Sequence, residues 1–485
     1  MRKLSRENWI LLAILVLGFL IRLSFVFVSN VPWWDESVYL NLGHDLSSNP
    51  LDYSIENHGW SDFIPSGGDV NYAWPKMGFR PPLLPYILAI FYSLNLGFFI
   101  KFLLPLIGTL TIFLVYLLGK EMFNKKTGII SATIIAFVPI HVIYSGRILN
   151  DVLVTFFITL AFFFFWKGFE KGNEKYKIFW GIVLGIGLLA RYTMLWIIPI
   201  FPIYLWIKNK SLNFLKDKYL WYAIIGFFVV LIPWFVYGYF EYGNIFGGFL
   251  HGFKGAAYWG GNQSWMFFFQ NHRYIFSISG ILFVLSLIGI SYTKDYKKRE
   301  VYILLIWSLL YFIMLVIMPH KEERFVIPII PAISLIIGYS LNKIKSYKKI
   351  ILGIILIILL WSCLSILVHD KNISSNTNTE CFIETMNFLK KQGDNYITVS
   401  ENPPIVRYFT NTESSFYPDK ITEESLKEVS NSTNKTVYFI FNKLNSGFET
   451  DKWMKLNEIL GEDYGLKFKC PEDPEVNFVY SNKLN

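Results

Sequence analysis

The chain has 485 residues, of which 53% are hydrophobic and 17% are charged, and its formal net charge is +9. This balance excludes an intrinsically disordered chain and, with only three cysteines, a soluble disulfide-rich scaffold. Residues 1–369 hold 32 Lys and Arg against 18 Asp and Glu, whereas residues 370–485 hold 13 and 18. The positive charge therefore lies in the hydrophobic part, where the positive-inside rule explains it better than binding to nucleic acid.

Apolar segments long enough to cross a bilayer recur along residues 1–368. A hydrocarbon core about 30 Å thick needs about 20 helical residues. The sequence predicts single spans near residues 9–28, 98–119, 127–145, 148–166, 219–240, 275–292, 301–318, 326–341 and 350–368. The stretch 178–207 is too long for one span and is interrupted at Arg191, which predicts two short helices. The predicted total is about eleven transmembrane helices.

Lysine-rich loops between alternate spans give the predicted orientation. The first apolar segment follows three basic residues and has no small-residue cleavage site, which predicts a retained signal anchor with a cytoplasmic N-terminus. The basic loops on that side are residues 120–126, 167–177, 208–218, 294–299 and 343–349. This register requires that residues 81–95, which begin with two prolines, lie in the interface without crossing it. We expect an integral, multi-pass protein of the cell membrane or of an ER-like membrane.

Two domains are predicted, with their boundary after residue 368. Residues 1–368 form the transmembrane domain, in which residues 29–97 are a large outer loop with interfacial helices. Residues 369–485 are predicted to form a small extracytoplasmic α/β domain, with helices near 380–391 and 451–460 and strands near 396–400 and 437–441. Cys381 and Cys470 both lie in this domain, where they form either one disulfide or two buried free thiols.

The first outer loop begins with Trp33-Trp34-Asp35-Glu36 directly after the first span. Two carboxylates beside aromatic rings fit a sugar site, because a ring packs on the apolar face of a pyranose and a carboxylate accepts a proton from an attacking hydroxyl. The structural alternative is an interfacial tryptophan belt with an aspartate that caps a helix. The spacing alone leaves both interpretations open.

A second group of candidates lies at the outer ends of other spans. Asp151 stands at the start of the 148–166 span, where it either caps the helix or faces the same cavity as Asp35. Residues 319–325 place five ionisable side chains in succession between two spans, which is costly at a bilayer edge unless they are paired or functional. The members of this segment are His320, Lys321, Glu322, Glu323 and Arg324.

A phosphate at the headgroup level suits the basic side chains of this segment, because the fork of an arginine matches phosphate oxygens. Arg80 and Arg191 are further candidates for the same phosphate, or else interfacial side chains whose charged ends reach the headgroups. The histidines show no ligand-type spacing, and the sequence contains no nucleotide-binding glycine motif. We therefore predict no metal and no bound cofactor, although a divalent ion at Asp151 stays open.

Five segments together resemble the membrane-embedded GT-C glycosyltransferases. They are Asp35-Glu36, Arg80-Pro81-Pro82-Leu83, residues 145–151, residues 187–193 and residues 320–325. The string His-Lys-Glu-Glu-Arg-Phe at 320–325 is similar to that of mannosyltransferases that build lipid-linked oligosaccharides and glycosylphosphatidylinositol. The other segments look more like protein O-mannosyltransferases and aminoarabinose transferases.

This resemblance implies transfer of a mannose-like hexose from a polyprenyl (dolichyl) phosphate to a hydroxyl of a protein, glycan or lipid acceptor, with inversion, on the outer face. By the resemblance, Asp35 is the general base, assisted by Glu36, and His320, Lys321 and Arg324 hold the lipid phosphate and stabilise it as leaving group. From their positions alone, further candidates for contact with substrate are Trp34, Asp151, Glu322, Arg80 and Arg191. The alternative function is a transporter or flippase of lipid-linked sugars, which also needs many spans and a phosphate site.

Overall fold

The computed structural model describes most of the chain, including nearly all the predicted spans. The described residues are 5–28, 30–53, 80–258, 263–271, 275–318, 320–344, 348–374, 377–418, 422–441, 450–470 and 478–482.

Helices dominate the described chain, and a small set of strands follows near its end. The helices before residue 200 are α1 (Arg6–Val26), α2 (Trp34–Ser48), α3 (Leu83–Ser93), α4 (Ile100–Met122), α5 (Lys125–Phe137), α6 (Pro139–Ser145), α7 (Asn150–Phe165) and α8 (Glu174–Ala190). They are followed by α9 (Ile200–Asn209), α10 (Lys218–Tyr242), α11 (Gly247–Tyr258), α12 (Phe267–Gln270), α13 (Ile278–Tyr292), α14 (Arg299–Ile317), α15 (Ile330–Lys343) and α16 (Lys348–Ser374). The last segment contains α17 (Thr377–Lys390), β1 (Tyr396–Val399), α18 (Pro403–Thr410), β2 (Glu413–Ser415), α19 (Glu423–Asn431), β3 (Thr436–Phe441), α20 (Thr450–Asp463), β4 (Gly465–Lys469) and β5 (Phe478–Ser481).

Two compact units divide the chain. The membrane unit comprises residues 1–27, 80–84 and 96–368, and the tail unit comprises residues 28–79, 85–95 and 369–485. The boundary predicted after residue 368 is also a boundary between these units. The described residues 30–53 and 85–95, from the predicted outer loop 29–97, belong to the tail unit. Helices α2 and α3 therefore fold with the C-terminal segment.

Seven helical segments among the described residues are long and apolar enough to cross a membrane. They are Arg6–Val26, Gly97–Met122, Asn150–Glu170, Lys218–Tyr242, Arg299–Ile317, Glu323–Lys343 and Lys349–Asn372. Helices α5 and α6 form an eighth span if they count as one, and they bend by 63° at their junction. The expected architecture, a helical multi-pass membrane part with a small α/β part after it, is confirmed. The expected number of about eleven spans stays a prediction.

The predicted break at Arg191 is confirmed. Helix α8 ends at Ala190, and Arg191 is extended, with φ −160° and ψ 132°. A 3-10 helix, Tyr192–Trp196, follows before α9 begins at Ile200. The predicted non-crossing helix in residues 81–95 is α3, which has 11 residues. At about 1.5 Å per residue, α3 is too short to cross the hydrocarbon core.

A buried arginine explains how the bend between α5 and α6 is tolerated. Pro139 begins α6 and has no N–H, so the carbonyl of Ile135 loses its usual helical donor. Arg22 of α1, which is fully buried, donates to the carbonyl oxygens of Ile135 at 3.2 Å and Ala136 at 2.9 Å. Its guanidinium also donates to Nδ1 of His141 at 2.8 Å. Arg22 therefore replaces the hydrogen bonds that the proline removes.

The tail unit is built on a five-stranded mixed sheet with the order β2-β1-β3-β5-β4. Strand β1 pairs in parallel with β2 and β3, whereas β5 pairs antiparallel with β3 and β4. Alternate residues of β3 pack on opposite faces, Val437, Phe439 and Phe441 in one core and Tyr438 and Ile440 in the other. The helices and strands predicted for this domain are confirmed.

A disulfide joins Cys381 of α17 to Cys470, which directly follows β4. This finding decides between the two alternatives left open for these cysteines. The bridge closes a separation of 89 residues and ties the helix on one face of the sheet to an edge strand. Disulfides persist mainly in oxidising compartments. The extracytoplasmic position of the tail stays a prediction.

Candidate active site

The predicted site residues fall in both units. In the tail unit, Trp34, Asp35 and Glu36 form the first turn of α2. Glu36 is 4% exposed, and its Oε2 accepts a hydrogen bond from the backbone N–H of Trp33 at 2.8 Å. Glutamate at the third helical position commonly binds the backbone at the start of a helix in this way. Glu36 therefore fixes the start of α2, while the adjacent Asp35 is half-buried.

A tyrosine that the sequence analysis did not select lies near this turn. Burial, and then the charge of the Glu36 carboxylate, raise the pKa of Tyr408 in α18. Burial likewise raises the pKa of Tyr92 in α3, with contributions from Tyr408 and Asp45. Both phenols therefore stay protonated at neutral pH and can donate hydrogen bonds. No local sequence signal joins Tyr408 to Glu36, because 372 positions separate them along the chain.

In the membrane unit, Asp151 lies at the centre of a charged cluster. Its side chain is 1% exposed at the first turn of α7, where the helix dipole stabilises a negative charge. Arg191, at the break after α8, donates from Nη1 to Oδ1 of Asp151 at 2.6 Å. Nε of Arg324 lies 3.9 Å from Oδ2 of the same carboxylate. One buried carboxylate therefore holds two guanidinium groups.

The segment after α14 supplies the other side of the cluster. Arg324 contacts both carboxylate oxygens of Glu322, with Nε 2.8 Å from Oε2 and Nη2 2.8 Å from Oε1. His320 Nε2 lies 3.1 Å from Oε1 of Glu322. The ring of Phe325 lies 4.8 Å from the guanidinium carbon of Arg191 and 5.9 Å from that of Arg324. Phe325 therefore packs against both arginines and Glu322 orients Arg324, and the sequence analysis had given Phe325 no role.

Lys321 lies differently from its neighbours in the sequence. Its side chain is 3% exposed, and Nζ donates to the carbonyl oxygens of Gln263, at 3.1 Å, and Met318. The backbone N–H of Lys321 donates to Oε1 of Gln263. These bonds fix the ammonium group on backbone oxygens, so Lys321 holds the segment in place.

Arg80, half-buried before α3, belongs to the membrane unit as well.

The cluster has the chemistry of an anion site whose arginines are already oriented. Each guanidinium has five N–H donors, of which Asp151 and Glu322 engage only some. Arginines held by buried carboxylates lose little freedom when they bind, and their planar forks match phosphate oxygens. The side chains of Arg191 and Arg324 are 18% and 12% exposed, so they retain a limited accessible surface.

Comparisons with known proteins relate this fold to enzymes that act on lipid-linked sugars. A family model described as dolichyl-phosphate-mannose-protein mannosyltransferase matches residues 79–237, about a third of the chain. The undecaprenyl phosphate-alpha-4-amino-4-deoxy-L-arabinose arabinosyl transferase of Wigglesworthia glossinidia brevipalpis is 24% identical over 381 residues, or 72% of this chain. An uncharacterized protein of Aquifex aeolicus is 23% identical over 293 residues, or 58% of this chain. The chain spans 62% and 57% of the lengths of these two relatives.

The fold of this chain matches solved structures over nearly its full length. The crystal structure of ArnT from Cupriavidus metallidurans bound to undecaprenyl phosphate superposes with a TM-score of 0.76 and covers 99% of both chains, at 9% identity. The archaeal oligosaccharyltransferase AglB from Archaeoglobus fulgidus, in complex with an inhibitory peptide and a dolichol-phosphate, gives a TM-score of 0.61 at 14% identity, over 98% of this chain and 74% of its own. The chain has the GT-C membrane fold. The fold expected from the resemblance is confirmed.

Proposed function

We propose that this protein is a membrane glycosyltransferase that moves a sugar from a polyprenyl phosphate to a hydroxyl acceptor at the extracytoplasmic face. The observation that carries the proposal is the pair of arginines, Arg191 and Arg324, held on the buried carboxylate of Asp151. A phosphate bound by both guanidinium groups becomes a better leaving group, because its developing negative charge is neutralised where it forms. The same fold binds undecaprenyl phosphate in the bacterial structure and a dolichol-phosphate in the archaeal one.

In this proposal the reaction is one displacement at the anomeric carbon. The acceptor oxygen forms a bond to C1 of the sugar, while the bond from C1 to the phosphate oxygen breaks and its electron pair stays on the polyprenyl phosphate. Asp35 takes the proton of the acceptor hydroxyl. The configuration at C1 inverts because attack and departure occur on opposite faces. Glu36 then assists by fixing the turn that carries Asp35.

The roles of the remaining predicted residues follow from their contacts. His320 and Glu322 orient Arg324, and Lys321 anchors the segment on Gln263 and Met318. Trp34 offers a ring for the sugar or the acceptor, and Arg80 is a further cation for the phosphate. Asp151 acts as a positioning residue because Arg191 occupies its Oδ1.

The sugar proposed from the sequence resemblance is a mannose-like hexose. The matched family model and the Wigglesworthia relative differ on this point, since the first description names mannose and the second an aminoarabinose. Both sugars therefore belong in the test. The acceptor is supplied as a native membrane extract, which contains protein, glycan and lipid hydroxyls together.

The decisive experiment follows turnover by purified protein in detergent. Radiolabelled polyprenyl-phosphate mannose or polyprenyl-phosphate aminoarabinose is added with membrane extract, and free polyprenyl phosphate and labelled product are measured. We expect release with one donor, little release with the other, and a large loss of release in Asp35→Asn. If neither donor turns over although both bind, and the protein instead moves intact donor across a liposome bilayer, the transferase proposal is wrong.

A further inference from the structure

A charged cavity of about 410 Å³ lies at the opposite end of α7 from Asp151. Its lining combines residues from the end of the Asn150–Glu170 segment with residues from the start of α14. The lining residues are Trp166, Glu170, Lys171, Lys297, Lys298, Arg299 and Glu300. Asn150–Glu170 and Arg299–Ile317 are both membrane-crossing segments, so their adjoining ends lie at headgroup level. A segment of 21 residues spans about 30 Å, which puts the cavity on the other side of the membrane from the arginine cluster.

The backbone at this end of α7 is unusual. Trp166–Glu170 form a π-helical turn, a geometry that is rare and is often found at functional positions. Trp166 is 3% exposed, and its indole Nε1 has no hydrogen-bond acceptor among the residues that the structure describes. An indole N–H usually finds a partner when it is buried. This lining residue therefore offers one unused donor.

Glu170 organises the cations around the cavity. Its side chain is 5% exposed and accepts hydrogen bonds from the hydroxyl of Tyr204, at 3.1 Å, and from Nζ of Lys208. Nη1 of Arg299 lies 3.7 Å from its other oxygen. The charge of Glu170 is thus already balanced by cations of the protein. It adds no net repulsion toward an incoming anion.

Two lysines of the lining are left without a carboxylate. Lys298 pairs with Asp295 at 2.8 Å, whereas Lys171 and Lys297 make no ion pair within the part of the chain that the structure describes. Both side chains are exposed at the mouth of the cavity. Exposed cations at a span end attract anionic headgroups. The lining also holds the carboxylate of Glu300, so its four cations exceed its two carboxylates by two. The cavity therefore combines a surplus of positive charge, an unused N–H donor and a position at the bilayer surface.

We infer that this cavity binds the phosphate of an anionic phospholipid headgroup in the leaflet opposite the arginine cluster. Lys171 and Lys297 contact the phosphate oxygens, and the indole N–H of Trp166 donates to the headgroup. A lipid is favoured over a soluble phosphate compound because the cavity lies at the ends of two spans. The acyl chains can then lie along exposed apolar side chains such as Leu309, which is 60% exposed on α14. The inference does not depend on the proposed reaction.

The test uses full-length protein in a zwitterionic detergent. Phosphatidylglycerol is titrated while the thermal unfolding temperature and the lipid retained in native mass spectrometry are followed, with phosphatidylcholine and glycerol 3-phosphate in parallel. We expect saturable stabilisation and retention with phosphatidylglycerol only. Lys171→Gln with Lys297→Gln should raise the half-saturating concentration by about tenfold or more. Trp166→Phe should raise it by a smaller factor without lowering the unfolding temperature of lipid-free protein.

The matched control removes the same charge elsewhere on the same predicted face. Lys175 and Lys216 are both exposed and lie outside the cavity lining. Lys175→Gln with Lys216→Gln should leave the half-saturating concentration within about twofold of the wild type. An equal weakening in both double variants would mean attraction spread over the surface, and would overturn the site. Equal stabilisation by glycerol 3-phosphate would overturn the lipid assignment in favour of a soluble phosphate ligand.

Discussion

Arg407 of the C-terminal segment binds Asp45 of the first loop, with Nη2 2.7 Å from Oδ1 and 2.9 Å from Oδ2. Both side chains are buried, at 7% and 8% exposure, and 362 positions separate them in the chain. Nearby, Nδ2 of Asn41 donates to the carbonyl oxygen of Pro404 at 2.9 Å. Helices α2 and α18 therefore form one interface within the tail unit.

Breaking this pair should loosen the tail unit strongly. Arg407→Met removes the guanidinium that binds the buried Asp45 carboxylate, and breaking a buried ion pair typically costs about 3–5 kcal/mol. Hydrogen exchange of the β1 and β3 amides should accelerate by about a hundredfold or more. The exposed pair of Lys427 and Glu423 is the control, and Lys427→Met should change exchange by less than about threefold. The double change Arg407→Met with Asp45→Leu should recover much of the loss, and no recovery would show that the charge pair is not the cause.

The tail unit should lose stability as the pH rises between the unfolded-state and folded-state pKa values of Glu401. Burial raises the pKa of Glu401 from 4.5 to about 7, and its Oε1 has no hydrogen-bond partner among the described residues. Between pH 4.5 and about pH 7, Glu401 keeps its proton in the folded state and releases it in the unfolded state. The stability that the protonated, buried Glu401 provides is therefore fully present below about pH 4.5 and is lost as the pH rises through about 7. Glu401→Gln should slow exchange of the β1 amides by about fivefold at pH 8, after correction for intrinsic rates, and change little at pH 4.5. The exposed Glu428→Gln should show no such difference between the two pH values.

Asp151 should affect donor use through the arginines that it holds. Asp151→Asn keeps the size of the side chain but removes the charge that orients Arg191 and Arg324, and a displacement of about 1 Å can cost about 10² in rate. We expect turnover of the polyprenyl-phosphate sugar to fall by about this factor, with kcat lowered and the KM for the donor raised, because the arginines both bind the phosphate and stabilise it as it leaves. Asp217→Asn removes a comparable partner from Lys177 and should leave turnover unchanged. Unchanged kcat and unchanged donor KM would contradict a positioning role.

Close packing of α8 on α10 depends on Gly181. A Cβ atom at this position would lie 1.9 Å from the backbone oxygen of Ala223. Because that atom belongs to the backbone of α10, it cannot rotate away as a side chain would. Small residues permit such approaches between membrane helices. Gly181→Ala should therefore lower the thermal unfolding temperature in detergent by about 5 °C or more, or prevent recovery of folded protein. Gly289→Ala on α13 meets nothing within 4 Å and should be tolerated with no loss.

The disulfide between Cys381 and Cys470 should contribute to the stability of the tail unit. Closing a long loop reduces the freedom of the unfolded chain, and such bonds typically contribute about 2–4 kcal/mol. Serine at both positions should accelerate exchange of the β4 and β5 amides by at least about tenfold. Cys363→Ala, which changes a buried thiol of the membrane unit, is the control and should leave these amides unaffected. Unchanged exchange without the bridge would show that sheet packing alone holds β4.

Sequence patterns predicted the features that depend on neighbouring residues. Seven of the predicted spans, the interruption at Arg191 and the main helices and strands of the tail depend on local patterns, and the described residues show them. The sequence also singled out Asp151, Arg191 and Arg324 one by one. The sequence alone could not show that these three side chains are in contact, because Arg191 follows Asp151 by 40 positions and Arg324 lies further along the chain.

Other features depend on contacts that no local pattern encodes. The grouping of α2 with the tail rests on Asp45 and Arg407, and the sheet order rests on pairings between distant strands. Lys321 looked like a phosphate ligand because charge alone is visible in a sequence, whereas its bonds to Gln263 and Met318 are not. The assignment of Asp35 as general base stays a prediction for the turnover experiment.

The position of Arg22 also has a consequence for biogenesis. Its helix is synthesised before α5 and α6, but two of the carbonyl groups that accept from its guanidinium belong to residues 113 and 114 positions later. Before α5 and α6 are made, the described acceptor available to this cation within α1 itself is the carbonyl oxygen of Gly18. Docking of the bent pair on α1 is thus the step that gives the buried guanidinium its remaining described partners.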